Sequence, residues 1–504
     1  MLLIFPPAAK PCEPPAGAAK LAGALKAQGI SCRVLDANLE GLLHLMHTPQ
    51  TASDTWTRRA VKNSSSNLAA LRDPRTYRNP DHYSRAVKDV NRVLETSAMK
   101  FHAVLGLADY YHQQLSPVRS NDLIMAAEHP EDNPFYPWFS RRLPEILEKT
   151  ASSLIGFSLN YLSQALSTFA MIGFIRREFP GLKIILGGGL VTSWMKGPAW
   201  QDPFDGLVDR CIAGPGEGPL LELLGINTIG HTHVTPDYGS LPHDEYLSPG
   251  FVLPYSGSSG CSFRKCSFCP ETAEDNPYVP VPVDLAMTDL KTLIANTDPV
   301  LVHLLDNAVS PALMHALAIE PPGVPWYGFA RIGNELTDRD YCMQLKRSGC
   351  RMLKLGLESG DQGVLDALRK GIDLATASLV LKNLHAAGIA AYVYLLFGTP
   401  AETIVEARKT LEFVAAHSDA ITFLNLAIFN MPLCGHEARE YETGHFYEGD
   451  LSLYTSFKHP RGWDRGAVRR FLNDEFKKHP AVSAILKKDP PIFTSNHAAF
   501  FAKS

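Results

Sequence analysis

Three cysteines in the run SSGCSFRKCSFCPE, residues 258–271, are the only clustered thiols among the nine in this 504-residue chain. Four residues separate Cys261 from Cys266, and two separate Cys266 from Cys269. Thiolates are soft ligands, and close spacing within one loop suits either zinc or an iron–sulfur cluster. A structural zinc usually takes four ligands, and no Cys or His nearby supplies a fourth; His303 and His436 lie far along the chain. On a [4Fe–4S] cubane, three thiolates leave one iron open to an exogenous chelating ligand, which is the arrangement of a reactive centre. Cys12, Cys32, Cys211, Cys342, Cys350 and Cys434 are scattered and read as small buried hydrophobes.

An odd, dispersed set of cysteines argues against a disulfide framework and for a reducing, cytoplasmic setting. Hydrophobic residues make up 45% of the chain and charged residues 20%, as in a globular domain rather than a disordered one. A net charge of -4 and a pI near 6.5 give no basic footprint for nucleic acid. The opening MLLIFPPAAK has no basic residues before its apolar run, and two prolines stop it, so it reads as a first strand and not as a signal peptide. No apolar stretch approaches the roughly 18 residues needed to span a bilayer.

A chain of this length calls for two or three domains. Residues 2–5 read as a strand, a helix runs to about residue 28, and residues 32–38 form a second strand. That βαβ opening implies a parallel sheet with helices on its faces. Residues 40–150 interrupt the alternation as a mostly helical insertion. Its Trp56, Arg58, Arg59, Tyr77 and Tyr83 read as core and solvated helix surface before any substrate entrance. Strands resume at 153–160 and 182–189, with LVDRCIAG as another. Residues 1–225 thus make a doubly wound α/β domain, and the proline-bearing stretch 226–250 is a linker. Beyond it, strands at 251–257, 300–305, 326–332, 351–357, 390–398 and 420–428 alternate with helices. One helix places Leu285, Met287, Leu290, Leu293 and Ile294 along one side. Six such strands predict a partial parallel barrel over 251–430, followed by a small C-terminal cap over 431–504.

The cysteine run resembles the radical S-adenosylmethionine superfamily, in a subset where the motif reads like GC-x-x-x-K-C-x-F-C. The commonest spacing in that family has three residues, not four, between the first two cysteines. The resemblance implies a [4Fe–4S] cluster on Cys261, Cys266 and Cys269, with S-adenosylmethionine chelated at the open iron and cleaved to a 5′-deoxyadenosyl radical. It carries further positions over. Phe268 would lie against the adenine, and Asp306 and Asn307 of LLDNAVSP would meet the methionyl amine. Arg331 would reach the carboxylate or ribose. Glu358 and Ser359, in KLGLESGDQGVLDALRKGI, would face the cofactor, and the backbone near Gly398, in YLLFGTPAET, would lie beside the adenine. Each has a bland rival: Asp and Asn also cap helices, and Arg331 would serve equally in a surface ion pair. All fall at C-terminal strand ends, where barrels of this kind carry their sites.

The order of segments in the first half resembles the cobalamin-binding members of the same family, over residues 1 to roughly 430. It includes IGFSLNYLSQ, LGGG, AGPGEGP and the linker TPDYGSLPHDEYLSP. Ser158, Asn160, Gly187, Gly188, Gly189 and Gly216 are the residues this implies for cobalamin. Many cobalamin domains carry an Asp-x-His-x-x-Gly loop whose histidine ligates cobalt. The corresponding loop here, PPAAKPCEPPAG, has none. The family implies a radical enzyme, with methyl transfer to a small molecule or peptide if cobalamin binds, and an external electron donor such as flavodoxin or ferredoxin. Two rivals remain at this stage: a cobalamin-independent radical enzyme, and a non-catalytic iron–sulfur or zinc protein.

Overall fold

The computed structural model describes residues 1–48, 54–150, 152–198, 200–226, 233–445, 449–490 and 497–502. Parts of the expected insertion (49–53), linker (227–232) and cap (446–448, 491–496, 503–504) lie outside those residues. The chain divides into two compact units. The first is Met1–Val252 with Tyr447–Ser452 and Pro490–Phe500; the second is Leu253–Phe446 with Leu453–Asp489 and Phe501–Ser504.

The first unit is built on five parallel strands: β1 (Leu2–Phe5), β2 (Arg33–Asp36), β3 (Leu154–Ser158), β4 (Lys183–Gly187) and β5 (Arg210–Ile212), ordered β2-β1-β3-β4-β5. Leu3 stands opposite Val34 on one side and Gly156 on the other. All four residues of β1 are buried, because helices cover both faces of a parallel sheet and a central strand must be apolar throughout. The expected strand 32–38 stops at Asp36. Its carboxylate accepts the Leu39 N–H at 2.9 Å and so starts the helix Ala37–His47 at once.

The insertion between β2 and β3 is helical, apart from a short hairpin of Ala103–Leu105 with Tyr110–His112. Tyr77 and Tyr83 lie in its core, with ring centroids 5.2 Å apart. Trp56 and Arg59 both donate to the buried Asp89, at 2.9 and 2.8 Å, while Arg58 makes only a local bond to Thr55.

The second unit holds six strands in the order β11-β10-β9-β8-β7-β6. They are β6 (Val252–Tyr255), β7 (Leu301–Leu304), β8 (Trp326–Ala330), β9 (Cys350–Glu358), β10 (Ala390–Phe397) and β11 (Phe423–Ile428). Each lies beside its neighbour in sequence, and β7 to β11 run parallel. Helices such as Val283–Thr297 and Leu374–Ala387 make the crossovers, giving the open half-barrel that the alternation predicts.

One helix face differs from expectation. In Val283–Thr297, Leu285 is 41% exposed, and Asp289 is buried in its stead, accepting the Tyr255 hydroxyl at 2.9 Å. A buried phenol needs a hydrogen-bond partner, and that demand turns the inner stripe toward Asp289. Downstream, Met431–Pro432, Tyr454–Phe457 and Thr443–His445 form a small antiparallel sheet, joined by the helices Arg465–Phe471 and Pro480–Leu486. Among the described residues, no helix is long and apolar enough to cross a membrane.

Candidate active site

The cysteine loop leaves β6 at the C-terminal edge of the half-barrel. Asp306, just past β7, accepts the Gly257 N–H at 3.0 Å and the Ser258 hydroxyl at 2.5 Å, which fixes the loop's departure. Burial pushes the Asp306 carboxyl up, and those donors oppose it. Gly260 has φ +71°, and a Cβ there would stand 2.3 Å from the Pro277 carbonyl, so only glycine lets the two arms of the loop pass.

Cys266 is buried, while Cys261 and Cys269 are half-buried. Burial raises the Cys266 thiol, the Lys370 and Arg331 cations lower it, and Cys261 raises it again. Burial likewise raises Cys269; backbone N–H groups of Thr272 and Glu271 bond its sulfur, and Cys266 and Cys261 act against it. The three sulfurs therefore share one electrostatic neighbourhood. Among the described residues, no three His, Cys, Asp or Glu side chains are gathered tightly enough for a single metal ion. A cubane places its thiolates on separate irons, and an all-sulfur set in one loop is the donor chemistry it takes. His303 instead stacks on Tyr327, with centroids 4.3 Å apart, and His436 pairs with Glu440 at 3.1 Å.

Beside the loop, Lys370 Nζ meets Glu358 Oε1 at 2.7 Å, and both side chains are nearly buried. Lys370 also lies 5.4 Å from the Phe268 ring, and the Arg331 guanidinium covers Phe263 at 3.5 Å while donating to the Lys370 carbonyl at 2.9 Å. A backbone bond from Ser267 to the Leu368 carbonyl, 3.1 Å, closes this contact. Glu358 stands at φ +70° where the register with β10 shifts, and this turns its carboxylate back over Gly356. A Cβ on Gly356 would fall 2.6 Å from Glu358 Oε1 and 2.9 Å from Lys370 Nζ. Gly356→Ala is therefore expected to split the ion pair and to destabilise the second unit by about 2–4 kcal/mol, read by chemical denaturation.

The remaining expected contacts are placed less uniformly. Ser359 is fully buried and spent internally, against the Thr410 hydroxyl at 3.2 Å and the Asp361 N–H at 3.1 Å. Asn307 is exposed. Gly398, at φ +81°, follows β10, and its N–H is accepted by Glu402 at 2.5 Å.

In the first unit, the strand order reverses between β1 and β3, the crevice where doubly wound sheets take their ligands. Gln164, fully buried, ties that crevice together. It accepts the N–H groups of Asn160 and Tyr161 at 2.9 and 3.1 Å and donates to the Pro6 carbonyl at 2.6 Å. Asn160 bonds the Ser158 hydroxyl at 3.1 Å and the Gly189 N–H at 2.9 Å, so Ser158, Asn160 and Gly189 are brought together with Gly187 and Gly188. Gly188, at φ +115°, would put a Cβ 2.3 Å from the Leu159 carbonyl; its glycine is required by the neighbouring loop whatever ligand binds. Gly216 stands apart, at the start of Glu217–Leu223 and beside Leu21.

Residues 255–414 match the profile of the Radical SAM superfamily. That stretch, about a third of the chain, is the part likened to the superfamily. An uncharacterised methyltransferase of Pyrococcus horikoshii is 25% identical over 188 residues, which is 35% of this chain and 40% of that protein. The matched part thus spans well under two thirds of that relative. Among solved structures, the radical S-adenosylmethionine methyltransferase TsrM from Kitasatospora setae, with cobalamin and a [4Fe–4S] cluster bound, superposes with a TM-score of 0.56 at 15% identity. That match covers 95% of this chain and 91% of TsrM. The cobalamin-dependent radical enzyme OxsB gives 0.51 at 15% identity, over 67% of this chain and 60% of its own. At such identities, the likeness speaks for the fold.

Within this candidate site, several residues escaped sequence reasoning. Phe263 and Lys370 pack the cysteine loop, and Lys354, buried in the barrel interior, lies 5.1 Å from both the Tyr327 and Phe329 rings. Tyr454, from the C-terminal sheet, has its phenol raised by burial and then by Glu274 and Cys269. Only alternation along β8 and β9, which turns Tyr327, Phe329 and Lys354 inward together, gave a usable signal.

Proposed function

We propose that this chain is a cobalamin-dependent radical S-adenosylmethionine methyltransferase acting on a small molecule or peptide. Support comes chiefly from three mutually close thiols at the C-terminal edge of a half-barrel, in a chain whose first unit has a ligand crevice of its own. Cys261, Cys266 and Cys269 would hold the [4Fe–4S] cluster, and Ser158, Asn160, Gly187, Gly188 and Gly189 would line the cobalamin crevice, with Gly216 nearby. When bound, the cluster supplies the electron that breaks the sulfonium C–S bond of S-adenosylmethionine, and cobalamin would carry the methyl group.

The protein's own contribution is electrostatic and steric. Arg331 and Lys370 offset the negative charge of three thiolates in a half-buried loop. Phe263 and Phe268 pack those cations against the loop. Asp306 and Ser359 hold the ends of strands that frame the pocket. Asn307 and the chain around Gly398 would meet the cofactor, together with Phe268, Arg331 and Glu358. An external one-electron donor is needed.

Anaerobic reconstitution with iron, sulfide and hydroxocobalamin tests this reading. Retained corrinoid absorbance, with 5′-deoxyadenosine or S-adenosylhomocysteine formed from S-adenosylmethionine, is expected. Zinc in place of iron and sulfide would end the proposal. Radical cleavage without corrinoid retention would leave the cobalamin-independent reading, which the histidine-free loop after β1 favours.

A further inference from the structure

Residues 453–489 have no assigned role, yet in the second unit they fasten the loop that follows β10. Trp463 Nε1 donates to Glu402 Oε2 at 2.9 Å, and the same oxygen accepts the Gly398 N–H. His459 Nε2 bonds the Thr399 carbonyl at 2.9 Å, and its Nδ1 accepts the backbone N–H groups of Arg461 and Trp463, both at 3.2 Å. Two acceptor duties at Nδ1 put the ring proton on Nε2. Arg465 reaches the end of the next strand, β11, donating to the Phe429 carbonyl at 2.9 Å and to Asn430 at 2.6 Å. Thr399, Glu402, His459 and Trp463 are all buried.

Two adjacent strand ends on the cysteine-bearing edge are thus tied to one short segment from far along the chain. The loop they frame contains a left-handed glycine and one turn bond of its own, Glu402 N–H to the Thr399 carbonyl at 2.9 Å, while Glu402 Oε1 and Thr399 Oγ1 find no partner among the described residues. The residues that close this turn, Glu402 and Thr399, are themselves held by Trp463 and His459.

We propose that Trp463 and His459 are positioning residues for S-adenosylmethionine: by fastening Glu402 and Thr399, they set the Gly398 backbone into the shape that receives the adenosyl group. This rests on the cofactor reading above and deepens it. A purely structural clamp would alter stability and leave cofactor affinity alone.

In the reconstituted holoenzyme, Trp463→Phe keeps a ring in place and removes only the indole N–H. The dissociation constant and the KM for S-adenosylmethionine are expected to rise roughly tenfold, the equivalent of one buried hydrogen bond. At saturating cofactor, kcat should stay within about twofold, since the interaction serves binding. Deuterium uptake at residues 397–403 should quicken, with cluster iron unchanged. Should that variant fail to fold, His459→Ala is read the same way. Wild-type affinity in a folded variant overturns the proposal, even if stability falls. Wild-type protein that carries its cluster and binds no S-adenosylmethionine overturns the cofactor reading instead, and unchanged exchange at 397–403 in the variants then overturns the clamp.

Discussion

Replacing Cys266 by alanine is expected to remove the iron–sulfur chromophore and to lower S-adenosylmethionine cleavage below about 1% of the wild-type rate. Cys266 is the most buried of the three thiols, and burial raises its pKa while Lys370 and Arg331 lower it. A thiol in that setting loses its proton readily only when a metal centre takes the sulfur, so its place in the loop makes sense as a ligand. Removal of one ligand from three leaves a cluster with two anchors and two nearby cations facing less negative charge. Iron and sulfide analysis together with 5′-deoxyadenosine production check this. Full iron content with undiminished cleavage would show that Cys266 is not a ligand.

The second large effect concerns Glu402. Burial raises its carboxyl to about 7 from the usual 4.5, with the Gly398 and Trp463 donors working the other way. A folded chain that holds this proton more tightly than the unfolded chain has the full benefit below pH 4.5. The benefit is lost as pH rises through 7. Over that window, the shift corresponds to about 3 kcal/mol. Glu402→Gln has no proton to lose, so its stability is expected to gain steadily on the wild type between pH 4.5 and 7 and to level off above. Asp36 and Asp489, raised to about 6 and about 7 by burial, titrate in both proteins and cancel in the difference.

His459 runs in the opposite sense. Burial lowers its pKa from 6.5, so the neutral ring's contribution is present above pH 6.5 and lost as pH falls below it. The Gln variant should therefore keep a decline on the acidic side, which denaturation curves across pH would show. Glu402→Ala, by contrast, orphans the Trp463 and Gly398 N–H groups and should cost about 3 kcal/mol below pH 4.5, a cost that shrinks as the wild type loses the Glu402 proton toward pH 7. Parallel curves for wild type and Glu402→Gln would mean that no buried proton is held there.

Much of this protein could be read from local pattern. Cys261, Cys266 and Cys269 are adjacent in sequence, so their spacing alone declares a shared ligand loop. Strand and helix periodicity is equally local, and it yielded the doubly wound unit, the helical insertion and the six-stranded half-barrel. Where the reading slipped, a polar side chain had a tertiary partner: Asp289 displaced Leu285 from the inner face because Tyr255, 34 residues away, needed an acceptor. The pairing of Lys370 with Glu358, the clamp of Trp463 and His459 on the loop after β10, and the steric demand of Leu159 on Gly188 belong to the same class. Hydrophobic order recurs along the chain and can be counted there. Which donor meets which acceptor depends on where packing delivers residues 12 to 61 positions apart, and only the folded chain decides that.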